Sequence, residues 1–206
     1  KSFLICAERY LERSEERRLI IVVGGGAPAR EYQRAYRQIV ANPSDTDQDW
    51  IGVAATRLNA ELIRAVFASL CSDPVVTNPE APVSFGGRVL VAAGWKPGFS
   101  SDNDAVILAK RFGAQTVINL SNIAQVYTAD PRKDPLAKPI DSISWKDFKK
   151  LVGTDWVPGK NVPFDPVATA QAESAGLSVI CAAGRDIENL ECILEGKPFQ
   201  GTIIGP

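Results

Sequence analysis

The stretch that decides the fold is residues 19–32, LIIVVGGGAPAREY. Five aliphatic residues end abruptly in three glycines, and a segment of helical character that contains Ala, Arg and Glu follows. Many proteins bind a phosphate with a buried strand, a glycine turn and a helix, because the helix N-terminus presents free N–H groups and a partial positive charge. The same order also builds a plain corner between a strand and a helix, so this stretch alone leaves both interpretations open.

The composition limits the class of protein and its partners. A chain of 206 residues with 45% hydrophobic and 23% charged residues is typical of a globular protein with one large or two small domains. The net charge of -1 creates no general field that would attract nucleic acid or an anionic membrane. No apolar run has the length of a membrane span and no signal-peptide pattern opens the sequence. We therefore expect a cytoplasmic protein with neither nucleic acid nor membrane as a partner.

Three residue types are informative by their number. The four cysteines form no CxxC pair and have mostly aliphatic neighbours, which predicts buried free thiols in a reducing compartment. The sequence has no His, which removes the commonest general base and zinc ligand. It also has no Met, which predicts that the native start lies upstream of Lys1, or that modified methionines are missing from the sequence.

Strand and helix patterns alternate along the chain. Apolar spacing predicts buried strands at 18–23, 88–94, 115–120, 177–183 and 201–204, and helices at 1–18, 27–40, 49–70, 102–112, 144–152, 165–175 and 186–195. Ser144 is expected to cap its helix. Such alternation indicates an α/β fold with a mainly parallel sheet covered on both faces. In these folds ligands bind at the carboxyl ends of the strands, where the notable loops of this chain lie.

The first of these loops contains Gly24, Gly25 and Gly26. Their backbone N–H groups are not screened by side chains, and Arg30 in the following helix has a guanidinium that suits phosphate. The alternative is a close packing turn. Local sequence favours neither, because the pattern is neither a Walker A loop nor GxGxxG.

A second glycine loop, GWKPGFSSD at residues 94–102, precedes another predicted helix. Its hydroxyls and free amides could bind an anion, or Ser101 or Asp102 could simply cap the helix. Asp49 likewise either caps its long helix or accepts hydrogen bonds from sugar hydroxyls. Lys96 and Lys160, in glycine-containing loops, either neutralise phosphate or are only solvated.

A third loop, SNIAQVYTADPRKDP at residues 121–135, is long and rich in turn residues. Tyr127 could border a base and Asp130 could accept hydrogen bonds from ribose hydroxyls. The alternative is a surface turn, since Asp-Pro occurs twice in this segment.

Taken together, VVGGGAPAREY, DWIGVAATRLNAELI, GWKPGFSSDNDA and VYTADPRKDP resemble, in the same order, the archaeal type of uridylate kinase in the amino-acid kinase superfamily. The similarity spans nearly the whole sequence and ends in LEGKPFQGTII. It implies a three-layer α/β/α sandwich around a mainly parallel open sheet. It also implies a cytosolic homohexamer that makes UDP from UMP with ATP and Mg²⁺ in pyrimidine biosynthesis.

The resemblance also implies a division of labour within one amino-acid kinase domain, 1–206. Residues 1–94 would mainly bind UMP and residues 95–206 mainly ATP, with the family's first strand and glycine loop expected upstream of Lys1. It implies catalytic roles for Asp102 and Arg30, with Asp102 organising lysines or metal rather than abstracting a proton. It assigns no metal ligand. UMP would contact Gly25, Asp49, Trp95, Lys96, Pro97, Gly98, Phe99, Ser100 and Ser101, and ATP would contact Gly26, Arg30, Ser121, Tyr127 and Asp130.

The chemistry of such a reaction suits a chain without His. The acceptor phosphate of a nucleoside monophosphate is already ionised at neutral pH, so the transfer needs positioning and charge neutralisation rather than a general base.

Besides the first strand and glycine loop expected upstream of Lys1, two departures from the family pattern accompany this prediction. Ala124 and Gln125 replace an acid and a glycine, and Gln125 would be strained if its position requires a positive φ. Lys160 stands where a neutral residue is expected and is a candidate for a missing positive charge.

Two rival functions accompany the kinase prediction. They are a non-catalytic nucleotide-binding, storage or regulatory homologue, and a kinase of another small phosphate acceptor. Isopentenyl phosphate kinase, the nearest such enzyme, relies on a histidine that is absent here.

Overall fold

The computed structural model describes residues 1–153 and 162–206, so the predicted loop at 153–163 lies largely, and Lys160 wholly, outside the described residues. Within them, no helix is both long enough and apolar enough to cross a membrane. The helices are α1 (Ser2–Glu12), α2 (Gly26–Ile39), α3 (Asp45–Val66), α4 (Ser101–Phe112), α5 (Trp145–Val152), α6 (Pro166–Ser174) and α7 (Ile187–Leu194). The strands are β1 (Leu19–Val22), β2 (Val89–Ala92), β3 (Thr116–Ser121), β4 (Val126–Tyr127), β5 (Pro139–Ile140), β6 (Ser142–Ser144), β7 (Ser178–Ala183) and β8 (Thr202–Gly205).

The chain divides into two compact units, Leu11–Leu108 and a second one made of Lys1–Tyr10 and Ala109–Pro206. In the first unit β1 and β2 pair in parallel, with Leu19 opposite Val89. All four residues of β2 are buried, as predicted. The prediction that β1 is buried on both faces is wrong, because its four residues are only partly buried. Among the described residues β1 pairs with β2 alone, which leaves its other edge without a partner strand.

Helix α3 begins earlier and ends earlier than the sequence pattern predicts. It begins at Asp45 because the Ser44 hydroxyl accepts a hydrogen bond from the Asp47 amide at 3.3 Å. Asp49 therefore lies inside the helix and is not its cap. The helix ends at Val66, where the buried ring of Phe67 and a turn that pairs the Leu70 amide with the Phe67 carbonyl at 2.8 Å take over.

Helix α1 also stops earlier than predicted, at Glu12 rather than at residue 18. The guanidinium of Arg88 explains the stop, because it donates hydrogen bonds to the carbonyls of Leu11, Ser14 and Arg17. In a longer helix these carbonyls would instead accept hydrogen bonds from backbone amides four residues further along the chain. The segment after α1 is therefore fixed to the residue that precedes β2.

The second unit contains a four-stranded sheet in the order β3-β7-β8-β6. The β3–β7 and β6–β8 pairs are parallel and β7–β8 is antiparallel, while β4 and β5 form a small antiparallel pair. Phe148, Phe164, Val179 and Ile204 are fully buried in this unit. The predicted cap of α5 is confirmed, since Ser144 accepts from the Asp147 amide at 3.2 Å.

The fold class is confirmed as α/β with mostly parallel strand pairs. The cysteines are also as predicted: all four are free thiols, of which three are buried and Cys192 is partly exposed.

Candidate active site

The three glycines between β1 and α2 do not share one structural reason. Gly26 has a φ of 60°, a left-handed conformation that side chains disfavour. Gly25 has no room for a side chain, since a Cβ there would lie 2.5 Å from the Cβ of Ala29. A Cβ on Gly24 would meet nothing within 4 Å, so this glycine is exposed and open on that side. Backbone conformation therefore explains Gly26 and packing explains Gly25, while Gly24 faces free space.

One face of α3 carries the residues that fix two loops. One is the loop at residues 24–26, here called the glycine loop, and the other follows β2. Asp49, Gly52, Thr56 and Asn59 follow one another at intervals of three and four residues, which places them on one side of a helix. Asn59 Nδ2 donates to the carbonyls of Gly24 at 2.9 Å and of Gly25 at 3.1 Å.

The same face of α3 fixes the loop that follows β2, here called the acceptor loop (residues 94–101). The Thr56 hydroxyl accepts from the Gly94 amide at 2.8 Å and donates to the Val53 carbonyl at 2.7 Å. The Asp49 carboxylate accepts from the Gly98 amide at 3.2 Å. A single helix face therefore sets the position of two loops that are distant in sequence.

Aromatic rings and cations line the acceptor loop. The ammonium group of Lys96 lies 3.7 Å from the centroid of the Trp95 ring and 4.7 Å from that of Phe99. The two rings stand edge to face, with centroids 4.7 Å apart. Arg57 donates from Nη2 to the Trp95 carbonyl at 2.9 Å, and Gly98 adopts a φ of 77°. The loop thus holds a lysine over two aromatic faces, a favourable placement for a cation.

The start of α4 differs from both capping alternatives. Ser100, rather than Ser101 or Asp102, accepts a hydrogen bond from the Asn103 amide at 3.2 Å. Ser101 and Asp102 are the first two residues of the helix and are partly exposed. Ser100 therefore lies in the acceptor loop and also caps α4.

Asp104, in the first turn of α4, is a buried carboxyl group that the sequence did not reveal. It is fully buried, and neither carboxyl oxygen has a hydrogen-bond partner among the described residues. Burial raises the pKa of Asp104 to about 7; the Asp102 charge adds to this rise, while the nearby Trp95 amide opposes it. The carboxyl group of Asp104 therefore titrates near neutral pH, well above the range of an exposed aspartate.

The three remaining predicted residues lie in the second unit. Ser121 ends β3, and its hydroxyl accepts from the Ile123 amide at 3.3 Å. Tyr127 lies in β4 opposite Pro139. Asp130 accepts two hydrogen bonds from the Arg132 guanidinium at 3.0 Å each, and this guanidinium lowers the pKa of Asp130. The surface-turn interpretation of this segment is thus compatible with its structure.

The predicted strain at Gln125 is absent. No described residue other than glycine has a positive φ, so the lost glycine is not required for backbone conformation. Gln125 is buried, and its Nε2 donates to Asp141 Oδ1 at 2.8 Å and to the Gly201 carbonyl at 3.1 Å. It is a structural side chain in this unit.

The predicted UMP residues and Gly26, Arg30 and Asp102 all fall within the Leu11–Leu108 unit. Arg30 is exposed, and its guanidinium makes no hydrogen bond or ion pair with any residue in the described ranges. Sequence reasoning missed Thr56, Arg57 and Asn59 as individual functional candidates. The spacing of polar residues on α3 from Asp49 onwards was the signal that could have found two of them.

Comparison with known proteins identifies the family. The model of the amino acid kinase family matches residues 5–183. A uridylate kinase of Methanospirillum hungatei is 36% identical over 194 residues, which cover 93% of this chain and 81% of that protein. A uridylate kinase of Hyperthermus butylicus is 34% identical over 91% of this chain and 83% of its own.

A solved structure gives the same result for the fold. The crystal structure of a uridylate kinase from Archaeoglobus fulgidus matches with a TM-score of 0.83 and 32% identity, covering 99% of this chain and 91% of that one. The match extends over both units of the chain and exceeds what a shared fold alone would require. The chain belongs to the amino acid kinase family and, within it, to the uridylate kinases.

Proposed function

We propose that the chain transfers the γ-phosphoryl group of ATP to the phosphate of UMP and releases UDP and ADP. The observation that carries this proposal is the face of α3, which fixes the glycine loop through Asn59 and the acceptor loop through Thr56 and Asp49. It brings backbone amides, a carboxylate and the Lys96 loop together in one unit. The relatives named uridylate kinase supply the identity of the nucleotide.

In this reaction an oxygen of the UMP phosphate attacks the γ-phosphorus of ATP, and the bond from that phosphorus to the β,γ-bridging oxygen breaks. The attacking oxygen carries no proton at neutral pH, so no general base takes part. The chain contributes orientation and charge. Gly25 and the acceptor loop would bind the UMP phosphate, Asp49 would accept from ribose hydroxyls, and Arg30 would stabilise the charge of the transferring group.

The uracil side of the site would use the rings of the acceptor loop. Trp95 and Phe99 offer apolar faces, and Lys96 already lies over both rings. A phosphate that binds near the loop would attract this ammonium group. The proposal therefore assigns Lys96 to the neutralisation of the acceptor, with Pro97, Gly98, Ser100 and Ser101 shaping the loop around it.

The donor side of the site would bind ATP. Residues 95–206 would mainly bind ATP, with Gly26 on the phosphates and Ser121, Tyr127 and Asp130 on the adenosine. Asp102 would organise charge at the site. Mg²⁺, when bound, would supply charge neutralisation on the ATP phosphates. Such an ion takes most of its ligands from phosphate oxygens and water with one or two carboxylates, and Asp102 would contribute a carboxylate.

Self-association is part of the proposal, and the outer face of α3 supports it. Trp50, Leu58, Leu62 and Val66 are large apolar side chains that are 46%, 68%, 65% and 45% exposed. With Ala54 they recur at every fourth residue and therefore form a continuous stripe along α3. A contiguous exposed apolar stripe is typical of an interface. We infer contact between copies of the chain and propose a cytoplasmic homohexamer that acts in pyrimidine biosynthesis.

One assay tests the proposed activity. The full-length protein is supplied with ATP and Mg²⁺ and with UMP, CMP, AMP or isopentenyl phosphate, and the diphosphate product is measured. UDP formation confined to UMP is the expected result. Tight nucleotide binding without turnover would instead indicate a non-catalytic homologue, and turnover of another acceptor would change the substrate.

A further inference from the structure

We infer that Asn59 is a positioning residue: it orients the peptide units of the glycine loop so that their N–H groups face the bound phosphate. This inference rests on the proposed phosphoryl-transfer function and deepens it by one residue. Asn59 would act through the backbone of Gly24 and Gly25, without touching the nucleotide.

Asn59 binds the carbonyls of two consecutive peptide units. The Gly24 carbonyl and the Gly25 amide belong to one peptide unit, and the Gly25 carbonyl and the Gly26 amide belong to the next. In a trans peptide the C=O and N–H bonds point in opposite directions. Because Asn59 Nδ2 draws both carbonyls toward α3, the Gly25 and Gly26 amides point away from Asn59.

These amides remain available for a ligand. Within the described ranges, no hydrogen-bond acceptor pairs with the Gly25 amide, and the Gly26 amide opens helix α2 and has no partner in its own helix. The Gly25 carbonyl, by contrast, is fully engaged, since it also accepts from the Ala29 amide at 3.2 Å. The loop therefore directs its donors outward and its acceptors into the protein.

Three consecutive glycines need such a restraint. Glycine has no Cβ to bias its backbone, so a peptide unit between two glycines can rotate at little cost. A rotated Gly24–Gly25 unit would turn a carbonyl oxygen toward the phosphate and repel it. Asn59 prevents this rotation from a rigid helix, because its amide donates to two consecutive carbonyls at once.

The test uses Asn59→Ala with a matched control elsewhere in the chain. Asn189 also binds backbone, donating to the Gln200 carbonyl at 2.7 Å and accepting from the Gln200 amide at 2.7 Å, but it lies in the second unit. Asn189→Ala removes two comparable hydrogen bonds without touching the glycine loop. Asn59→Gln keeps an amide donor and serves as the rescue variant.

Two measurements follow the loop directly. Steady-state kinetics give kcat and KM for UMP, and ¹⁵N-glycine labelling reports the amide protons of the 16 glycines by NMR. In the wild-type chain UMP should move the Gly25 amide proton downfield and ATP the Gly26 amide proton, and uridine, which lacks the phosphate, should move neither. Asn59→Ala should lose most of these shifts and about tenfold in kcat/KM. Asn59→Gln should recover part of both, and Asn189→Ala should behave as wild type.

The outcomes separate this inference from the proposed function. A folded Asn59→Ala variant with wild-type kcat/KM overturns the inference. A Gly25 amide proton that does not move in the wild-type chain at saturating UMP overturns it as well, and this result needs no variant to fold. A wild-type chain that shows the two amide shifts but forms no UDP contradicts the proposed activity and supports the role of Asn59.

Discussion

Asp49 and Gly98 are 49 positions apart in sequence and are joined by a hydrogen bond from the Gly98 amide to Asp49 Oδ2 at 3.2 Å. The bond engages one carboxylate oxygen, and the other remains for ribose hydroxyls in the proposed complex. Asp49→Asn retains an oxygen that can accept from Gly98 but removes the charge. We expect about tenfold weaker UMP binding, because hydrogen bonds to a charged acceptor are the stronger ones. ATP binding should change less than about twofold, and calorimetric titration of each nucleotide checks both values.

Ser44→Ala is the control for Asp49→Asn, because Ser44 is the cap of α3. Its loss should lower the free energy of unfolding by about 1 kcal/mol and leave UMP affinity unchanged. If Asp49→Asn weakened UMP and ATP equally, Asp49 would have only a structural role.

Gly24 and Gly25 are adjacent residues that should respond differently to alanine. Gly25→Ala places a Cβ 2.5 Å from the Ala29 Cβ, so α2 must shift, and we expect a loss of about 1–3 kcal/mol in the free energy of unfolding. Gly24→Ala meets nothing within 4 Å and should stay within about 0.5 kcal/mol of wild type. Urea unfolding of both variants measures the difference. Equal stability would mean that Gly25 has more room than the geometry indicates.

Asp104 should make stability depend on pH in a defined direction. Its pKa is raised from 3.8 to about 7 by burial, so the folded chain retains a proton that the unfolded chain loses. The contribution of this group to stability therefore falls as the pH rises through that interval and stays low above it. Asp104→Asn removes the ionisation. It should stabilise the protein by on the order of 3 kcal/mol near pH 8, and have little effect near pH 4.

Thermal or urea unfolding across this pH range measures the effect of Asp104. Asp134→Asn is the control, since Asp134 lies in the 131–138 segment of the second unit and its carboxylate accepts from the nearby Leu136 amide at 2.9 Å. A wild-type pH dependence that Asp104→Asn leaves unaltered would contradict the assignment.

Gln125→Gly would restore the residue that the family pattern predicts, yet it should destabilise this chain. The variant removes hydrogen bonds to Asp141 and to the Gly201 carbonyl and leaves a cavity in place of a buried side chain. We expect a loss of about 2 kcal/mol or more. Denaturant unfolding measures it, and a gain in stability would show that Gln125 is strained after all.

The stripe on the outer face of α3 should govern assembly. Introducing charge with Leu58→Glu and Leu62→Glu places carboxylates among apolar side chains, which should disrupt contacts between copies. Leu136→Glu is the control, since this leucine is 83% exposed on a loop of the second unit. Light scattering after gel filtration gives the mass. The double variant should be smaller than the control, and equal masses would exclude this face as the interface.

Local patterns were sufficient for most of the fold. Aliphatic runs identified β1 and β2, and the Ser144 cap was found because capping depends on residues three positions apart. The errors came from distant residues: Arg88 ends α1, and the partial burial of β1 depends on which strands pair with it. No local pattern contains that information.

The candidate site divides in the same way. Motif resemblance named Gly25, Asp49 and the acceptor loop, but the hydrogen bonds that Asn59 and Thr56 make depend on which turn of α3 faces which loop. The sequence did not indicate that Asp104 is unusual, because aspartate is common in the first turn of a helix. Its burial is what distinguishes it.

Helix α3 sets the distance between the positions at which the two loops of the site are fixed. Asp49 and Asn59 are ten residues apart, which corresponds to about 15 Å along the axis at 1.5 Å per residue. One inserted or deleted residue between them would turn every later side chain by about 100° and detach a whole loop. The distance in sequence between the residues of this face therefore matters as much as their type. The helix fixes the acceptor loop at Gly94, Trp95 and Gly98 and the glycine loop at Gly24 and Gly25, so changes of loop length are tolerated only outside these positions.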